Sequence, residues 1–191
     1  MSRTTTDMFK RTHNFIQKLL GRSDVTINGS VYMRRWRLID LPWFGVRIHH
    51  IVRSDHDREM HDHPFSFISF ILRGGYYEHR PHAKIKGFIL DSDGKRWTDV
   101  KRHGAGSIVV RKAEDLHRLD LAIISESETH VEERGTWTFV LRGPRRREWG
   151  FETPQGWMHW RDFIEWKGHE DGTTGTKHRN AEDSFTAPSS Y

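Results

Sequence analysis

Residues 61–75 read His-Asp-His-Pro-Phe-Ser-Phe-Ile-Ser-Phe-Ile-Leu-Arg-Gly-Gly, and this stretch decides the fold. The apolar run from Phe65 to Leu72 has the composition of a β-strand, and two glycines follow it. Residues two apart on a strand point to the same face, so His61 and His63 can bind one metal ion together. The stretch therefore predicts a metal site inside β-structure.

Short segments rich in β-branched and aromatic residues recur along the chain, with turn-forming residues between them. They cover residues 31–39, 44–53, 65–73, 75–79, 85–90, 106–111, 116–124 and 136–142. Many short strands favour an antiparallel sandwich or barrel over alternating strands and helices. The Asp-Gly pair within residues 91–95 is typical of a tight hairpin turn. We therefore predict an all-β domain over residues 23–166.

The segments at the two ends of the chain have different patterns. Residues 5–20 carry apolar side chains at roughly helical spacing, which predicts an N-terminal amphipathic helix, within residues 1–22, packed on the main body. The aromatic-rich segment 154–166 predicts a short helix that closes one end of the fold. Residues 167–191 nearly lack large apolar side chains, so we predict a disordered tail.

The composition narrows the classes of function. The chain has 191 residues and no cysteine, which excludes disulfides and leaves imidazole and carboxylate as metal ligands. No run approaches the ~18 apolar residues of a membrane span, and the N-terminus lacks the apolar core of a secretory signal. The expected location is therefore the cytoplasm. A formal charge of +5 favours anionic partners, whether nucleic acid or an anionic small molecule that carries a phosphate or a carboxylate.

A third histidine turns the pair into a candidate metal site. Residues 106–117 run from Gly106 through an apolar strand and a turn to His117. This path can bring His117 back beside His61 and His63. Three imidazoles with open positions form an adaptable mononuclear metal centre.

At these residues the sequence resembles the cupin superfamily. The first cupin motif is a His-x-His pair followed by a glutamate and a glycine, and His61, His63 and Gly75 match its histidines and its glycine. In the second motif a glycine leads through a turn to a histidine, as Gly106 and His117 do. The resemblance implies an antiparallel cupin-type β-barrel, or jelly roll, with the metal on the three histidines.

The resemblance covers about residues 55–121, and the motif glutamate is absent because its place falls at Phe67 or Ile68. The other departures are at Lys112, Glu114 and Leu121, where the second motif has proline, glycine and asparagine. Cupins of the cysteine dioxygenase type use three histidines without a carboxylate. The resemblance thus implies a non-haem iron dioxygenase that binds Fe(II), with zinc, manganese or nickel as alternative ions.

Two further residues are candidates for the chemistry. Glu78, on the strand after Gly75, can supply a carboxylate from another position. Arg142, at the end of the 136–142 strand, can hold a carboxylate or phosphate by a bidentate contact. The other candidates, as anion-binding or pocket-shaping residues, are Arg73, Arg111, Arg118, Tyr76, Trp137 and Phe139. His49 and the remaining histidines have no spacing that distinguishes them.

Other functions fit the same residues. A metal-free cupin, acting as an epimerase, an isomerase or a small-ligand sensor, would use a histidine as base and need Asp120 or Glu78 to orient it. A protein that binds nucleic acid or another protein would use the basic runs 34–37 and 145–147 with Trp149 or Trp157 as a stacking surface, although no nucleic-acid-binding motif is present. The resemblance also implies a homodimer through an edge strand.

Overall fold

The computed structural model of the chain consists mainly of antiparallel β-strands. It describes residues 21–27, 30–55, 59–82, 98–126 and 131–170. In chain order the strands are β1 (Arg22–Ile27), β2 (Ser30–Asp40), β3 (Gly45–Ile51), β4 (Phe67–Arg73), β5 (Gly75–Pro81), β6 (Thr98–Gly104), β7 (Ile108–Arg111), β8 (Arg118–Leu121), β9 (Ile123–Glu126), β10 (Val131–Glu133), β11 (Thr136–Arg142), β12 (Gly150–Thr153) and β13 (Gly156–His159), and the helix is α1 (Trp160–Glu170).

Two sheets form the body of the fold. The larger has six strands in the order β1-β2-β3-β11-β4-β7, and the smaller has three in the order β6-β5-β8. Every pairing in them is antiparallel. The strands β9 and β10 form one further hairpin, and β12 and β13 form another. The all-β antiparallel architecture predicted from the sequence is confirmed.

The hydrophobic core lies between the two sheets. Val25, Ile51 and Ile71 come from the large sheet, and Tyr76 and Leu119 come from the small sheet. Complete burial of an aliphatic side chain of this size contributes about 1.5–3 kcal/mol to stability. The core occupies one end of the space between the sheets, because further along β3 and β11 the inward-facing positions are polar except for Val140.

The corner between β4 and β5 requires the glycine pair. Gly74 has a φ of 84° and Gly75 a φ of 155°, which residues with a side chain rarely adopt. A Cβ on Gly74 would lie 2.7 Å from the Gly135 carbonyl oxygen, and one on Gly75 would lie 2.6 Å from the His103 carbonyl oxygen. The glycine that matched the motif therefore marks the point where the chain leaves the large sheet for the small one.

The prediction for residues 154–166 is corrected in detail. The segment begins with strand β13, which pairs with β12 from Thr153↔Gly156 to Gly150↔His159. The helix follows and continues to residue 170, beyond the predicted boundary at residue 166. It forms because Trp160 and Phe163 lie three residues apart on one face and pack on the β12–β13 hairpin.

Several sequence-based predictions fall where the structure does not describe the chain. These are the N-terminal helix, the strand at 85–90, the hairpin turn at 91–95 and residues 171–191 of the tail predicted for 167–191, whose first four residues belong to the helix instead. Five observed strands lie outside the segments predicted as strands, because they are short or carry too few alternating apolar residues: β1, β6, β10, β12 and β13. No helix in the described part of the chain is long and apolar enough to cross a bilayer.

Candidate metal centre

The three histidines predicted as metal ligands come together in space. One ring nitrogen from each of His61, His63 and His117 lies within 4.8 Å of the others, and we call this group the triad. The Nε2 atoms of His63 and His117 are 2.8 Å apart. Among the residues the structure describes, the triad is the group of histidine and acidic side chains with metal-site geometry.

Backbone pairing explains why the triad forms. The residues His61 and His117 donate to each other's carbonyl oxygens, at 3.0 Å in both directions, as in a closely paired position of an antiparallel ladder. Side chains of directly paired residues lie on the same face. His63 is two residues further along the extended segment and shares that face, which is the geometry that the His-x-His spacing predicted.

Glu78 orients His117 from behind. This side chain is fully buried on β5, and its Oε1 accepts a hydrogen bond from His117 Nδ1 at 2.8 Å. Its Oε2 accepts another from His103 Nε2 at 3.0 Å, and Arg111 on β7 donates to Oε1 through Nε at 2.7 Å. A carboxylate on Nδ1 fixes the tautomer that leaves Nε2 as a lone-pair donor. Glu78 therefore contacts a triad residue and not the position where an ion would sit.

The electrostatic environment keeps Glu78 ionised. Burial alone would raise its pKa, but hydrogen bonds from His117 and Arg111 outweigh burial and hold the pKa well below its usual range. Burial lowers the pKa of His103 despite its contact with Glu78. The proton that lies between Glu78 and His117 consequently belongs to the imidazole.

A second carboxylate lies behind His61. Asp55 is fully buried, and its Oδ2 is 3.6 Å from His61 Nδ1, which is too long for a direct hydrogen bond but close enough for an electrostatic contact. A carboxylate on the Nδ1 side favours Nε2 as the metal-binding atom of His61, as for His117.

Asp62 points away from the triad because it lies between His61 and His63 on an extended segment. It is buried and accepts hydrogen bonds from the Gly150 backbone at 2.8 Å and from Trp157 Nε1 at 2.9 Å, and it pairs with Arg147 at 2.7 Å. Burial raises the pKa of Asp62 in spite of these contacts. Asp62 thereby fastens the β12–β13 hairpin to the strand segment that carries the histidines.

An aromatic cluster closes one side of the triad. The rings of Phe151 and Trp149 lie 5.9 Å and 6.4 Å from the His61 ring, and helix α1 packs behind them. The opposite side is more open, since His63 is only half-buried and has Phe67 at 4.9 Å and Phe65 at 6.4 Å as ring neighbours. A small molecule can therefore approach from the His63 side.

A divalent metal ion fits the triad. Two nitrogen ligands at right angles, each about 2.1 Å from an ion, are about 3 Å apart, close to the 2.8 Å between the Nε2 atoms of His63 and His117. Imidazole suits iron, zinc, nickel and copper. Because Nδ1 of His117 carries the proton, its Nε2 faces His63 Nε2 with a lone pair, and a metal ion held by the triad would stabilise that arrangement.

Arg142 faces the same interior space and is already paired. Its guanidinium binds the Asp40 carboxylate and the Leu41 carbonyl oxygen at 2.9 Å. It also lies over the Phe65 ring, 5.6 Å from the centroid. Phe65 is a ring neighbour of His63, so Arg142 is close to the triad without a described contact to it.

The residues predicted to shape the pocket do not line it. Tyr76 belongs to the core, whereas Trp137 stacks on Trp36 and Phe139 lies against Phe70 on the outer face of the large sheet. The physical reason is strand alternation: along β11 the buried positions are Thr136, Thr138, Val140 and Arg142.

Several residues of the interior were missed from the sequence. They are His49 and Arg47 on β3, Arg35 on β2, Asp55 and His103. The signal that could have found the first three is polar residues at alternate positions, Arg35-x-Arg37 and Arg47-x-His49, between apolar neighbours. His49 was interpreted as an ordinary strand residue, but its Nε2 is buried in the interior.

The remaining candidate residues from the sequence lie in several parts of the fold. Arg73 lies at the end of β4, whereas Asp120 pairs with His79 at 2.8 Å and with Arg118 at 3.7 Å, so it does not orient a triad histidine. In the basic run, Arg145 pairs with Glu148 at 2.6 Å. Trp149 is buried and cannot stack on a base, whereas Trp157 is 46% exposed.

Comparison with known proteins gives matches among solved structures only. No family model matches the chain, and no curated protein matches its sequence. The matched structures include DMSP lyase DddQ from Ruegeria pomeroyi DSS-3 (16% identity, 73% of this chain and 64% of DddQ, TM-score 0.47) and HppE in its Fe(II) form (10% identity, 63% of this chain and 56% of HppE, TM-score 0.42). The match covers less than two thirds of either enzyme.

A third matched structure is described as an RmlC-like cupin from Shewanella frigidimarina NCIMB 400 (15% identity, 66% of this chain and 86% of that chain, TM-score 0.39). These are similarities of fold to part of each chain. The fold of this protein is a cupin-like antiparallel jelly roll, and three histidines cluster in it. Both features agree with the resemblance that the sequence showed.

Proposed function

We propose that this protein is a metal-dependent cupin enzyme, a non-haem iron dioxygenase that acts on an anionic small molecule. Fe(II) would be held by His61, His63 and His117. The observation that carries the proposal is the convergence of three imidazole nitrogens within 4.8 Å, backed by two buried carboxylates. Zinc, manganese and nickel remain the alternative ions; imidazole suits zinc and nickel, whereas manganese favours oxygen ligands.

The residues around the triad would have two roles, to orient the histidines and to exclude water. Glu78 holds His117 in one tautomer, and Asp55 does the same for His61 by charge. The aromatic rings of Phe151 and Trp149 exclude water from the His61 side, so the reactants enter past His63. When bound, a divalent iron ion supplies the electrons for reaction with dioxygen and keeps open positions for an anionic substrate.

Elemental analysis tests the metal-binding step. Protein purified without a metal-affinity tag is compared with His61→Ala, His117→Ala and the control His82→Ala, which changes a histidine outside the triad. We expect near-stoichiometric iron in wild type and control and its loss in both triad variants. Screening of anionic substrates for oxygen consumption then tests the reaction class. No metal in any sample after anaerobic incubation with Fe(II) would refute the proposal.

One observation favours a second candidate, a metal-free cupin with a histidine base. The 2.8 Å contact between His63 and His117 is also the length of a hydrogen bond, and Glu78 orients His117 as a catalytic carboxylate would. This candidate predicts activity on an epimerisable or isomerisable substrate that chelators do not affect. The iron enzyme predicts that chelators abolish activity and that Fe(II) restores it.

A further inference from the structure

A group of five basic side chains lines the interior face of the large sheet, namely Arg35, Arg37, Arg47, His49 and Arg142. The Cα register places Arg35 opposite His49, and His49 opposite Thr138. In the next row Arg37 is opposite Arg47. Directly paired residues share a face, and Thr138 is buried, so these side chains point into the space between the sheets.

One carboxylate balances three of these guanidinium groups. Asp40 pairs with Arg142, with Arg47 at 3.4 Å and with Arg37 at 3.9 Å. Among the described residues no other acidic side chain pairs with Arg37, Arg47 or Arg142. The Arg47 and Arg142 side chains are only 12% and 9% exposed. Two largely buried guanidinium groups therefore share one carboxylate, and buried positive charge is costly unless an anion accompanies it.

Three buried nitrogen atoms of this group also lack a hydrogen-bond partner on any residue that the structure describes. The Nε atoms of Arg47 and Arg142 and Nε2 of His49 are buried, and none has a hydrogen-bond partner within the described part of the chain. Most buried polar groups in proteins are paired, so an exception calls for an explanation. These three nitrogens lie on the adjacent strands β3 and β11, and a bound anion with several oxygen atoms could accept hydrogen bonds from them.

The local electrostatics agree with an accumulation of positive charge. Burial, Arg47 and Arg37 together lower the pKa of Arg35 to about 9. Burial also lowers the pKa of His49 well below its usual value, and Arg35, Arg47 and His63 lower it further. An anion bound among these groups would reverse both effects.

Two arginines of this group, Arg47 and Arg142, lie close to the triad. The guanidinium carbons of Arg47 and Arg142 lie 5.2 Å and 5.6 Å from the centroid of the Phe65 ring. The other neighbour of that ring is His63, at 6.4 Å between centroids. His63 is the most exposed member of the triad, so the cations lie on the side from which the triad is reached.

We propose that Arg47 and Arg142, with His49, bind a compact oxyanion group of the substrate, either a carboxylate or a phosphate-type group, beside Phe65. When no anion is bound, Asp40 is the counter-ion that the two arginines share. Guanidinium groups fit both oxyanions through paired N–H donors. The role of this site in substrate positioning rests on the proposed enzymatic function, but the binding of the anion itself does not.

Anion titration of the full-length protein tests the site. Inorganic phosphate and acetate serve as probes, and binding is measured by calorimetry and by the shift in melting temperature. We expect saturable binding of at least one probe to wild type, about 10- to 100-fold weaker binding to Arg47→Gln, and intermediate binding to Arg47→Lys. Arg145→Gln is the matched control, since Arg145 is paired with a glutamate on the surface, and it should bind as wild type does.

The outcomes separate this site from the metal centre. Binding to chelator-treated wild type that Arg47→Lys or Arg47→Gln weakens supports the anion site, even if the chain never binds iron. Iron binding without saturable anion binding, or equal binding by wild type and both Arg47 variants, overturns the anion site and leaves the metal proposal standing. The lysine variant keeps the charge and so remains informative if the glutamine variant does not fold. A preference for phosphate over acetate assigns the phosphate class, and the reverse assigns the carboxylate class.

Discussion

Glu78→Gln should show how much the metal affinity depends on the orientation of His117, because the substitution leaves all three triad histidines in place. Glutamine has the shape of glutamate and keeps one oxygen acceptor, but it removes the buried negative charge that His117, His103 and Arg111 share. The expected effect on metal affinity is a loss of about 10- to 100-fold, which is typical when the carboxylate partner of a metal-binding histidine is removed.

The same substitution should also destabilise the metal-free protein. The Arg111 and Glu78 side chains are 11% and 1% exposed, so loss of the carboxylate leaves a buried guanidinium without its counter-ion. Breaking a buried pair in this way costs about 3–5 kcal/mol of the free energy of unfolding. Glutamine should give the lower end of that range, since its oxygen can still accept one hydrogen bond.

Two measurements test these magnitudes. Competition with a chromogenic chelator gives the metal affinity of the folded protein, and urea unfolding of chelator-treated protein gives the free energy. Glu148→Gln is the matched control, because Glu148 also contacts an arginine and a histidine but is 57% exposed, and its effect on stability should stay within about 0.5 kcal/mol. Unchanged metal affinity in Glu78→Gln would refute the orienting role, and an unchanged urea midpoint would refute the buried ion pair.

Two further predictions concern pH and self-association. The pKa of His49 is lower in the folded protein than its unfolded value near 6.5, so below pH 6.5 the unfolded chain binds a proton that the folded one does not. As the pH decreases below 6.5, this group should lower the free energy of unfolding of chelator-treated protein by up to about 1.4 kcal/mol per pH unit, until the folded pKa is reached. His49→Gln should remove this contribution, so urea titrations between pH 4 and 7 should show a smaller pH dependence in the variant. An equal slope in the variant would contradict this. The edge strand β7 exposes Val110 by 59%, so we expect a homodimer that Val110→Lys dissociates in analytical ultracentrifugation. The matched control Leu72→Lys, 54% exposed on β4 within the same sheet, should leave the dimer intact. A monomeric wild type would contradict the second prediction.

The triad was predictable because its signals are local. A His-x-His pair needs only the two-residue period of a strand to put both rings on one face. The glycine at position 75 identified the corner after β4, and the 106–117 segment identified the return of His117. Each of these features can be read within a dozen residues, and the structure places all three histidines together.

Glu78, Arg111 and Arg142 were candidates from the sequence, but the contacts that the carboxylates and basic side chains make around the triad were not predictable, because they depend on pairing between distant strands. Glu78 reaches His117 because β5 pairs with β8, and it reaches Arg111 because the two sheets face each other. His49 faces the interior because β3 pairs with β11, whose Thr138 is far away in the sequence. A shift of one residue in either register would turn these side chains to the opposite face, and no local pattern fixes those registers.

The two halves of the candidate site come from different sheets. The small sheet and the segment beside it hold the triad, and Glu78 and Asp55 restrain its rings from behind. The large sheet contributes Arg47 and Arg142, and the half-buried Phe65 lies between them and His63. A substrate bound by its oxyanion to the large sheet would therefore present its other end to an ion bound on the small sheet. Because the core fills the rest of the space between the sheets, the distance between the two halves is fixed by the fold, and substrate length becomes a determinant of specificity.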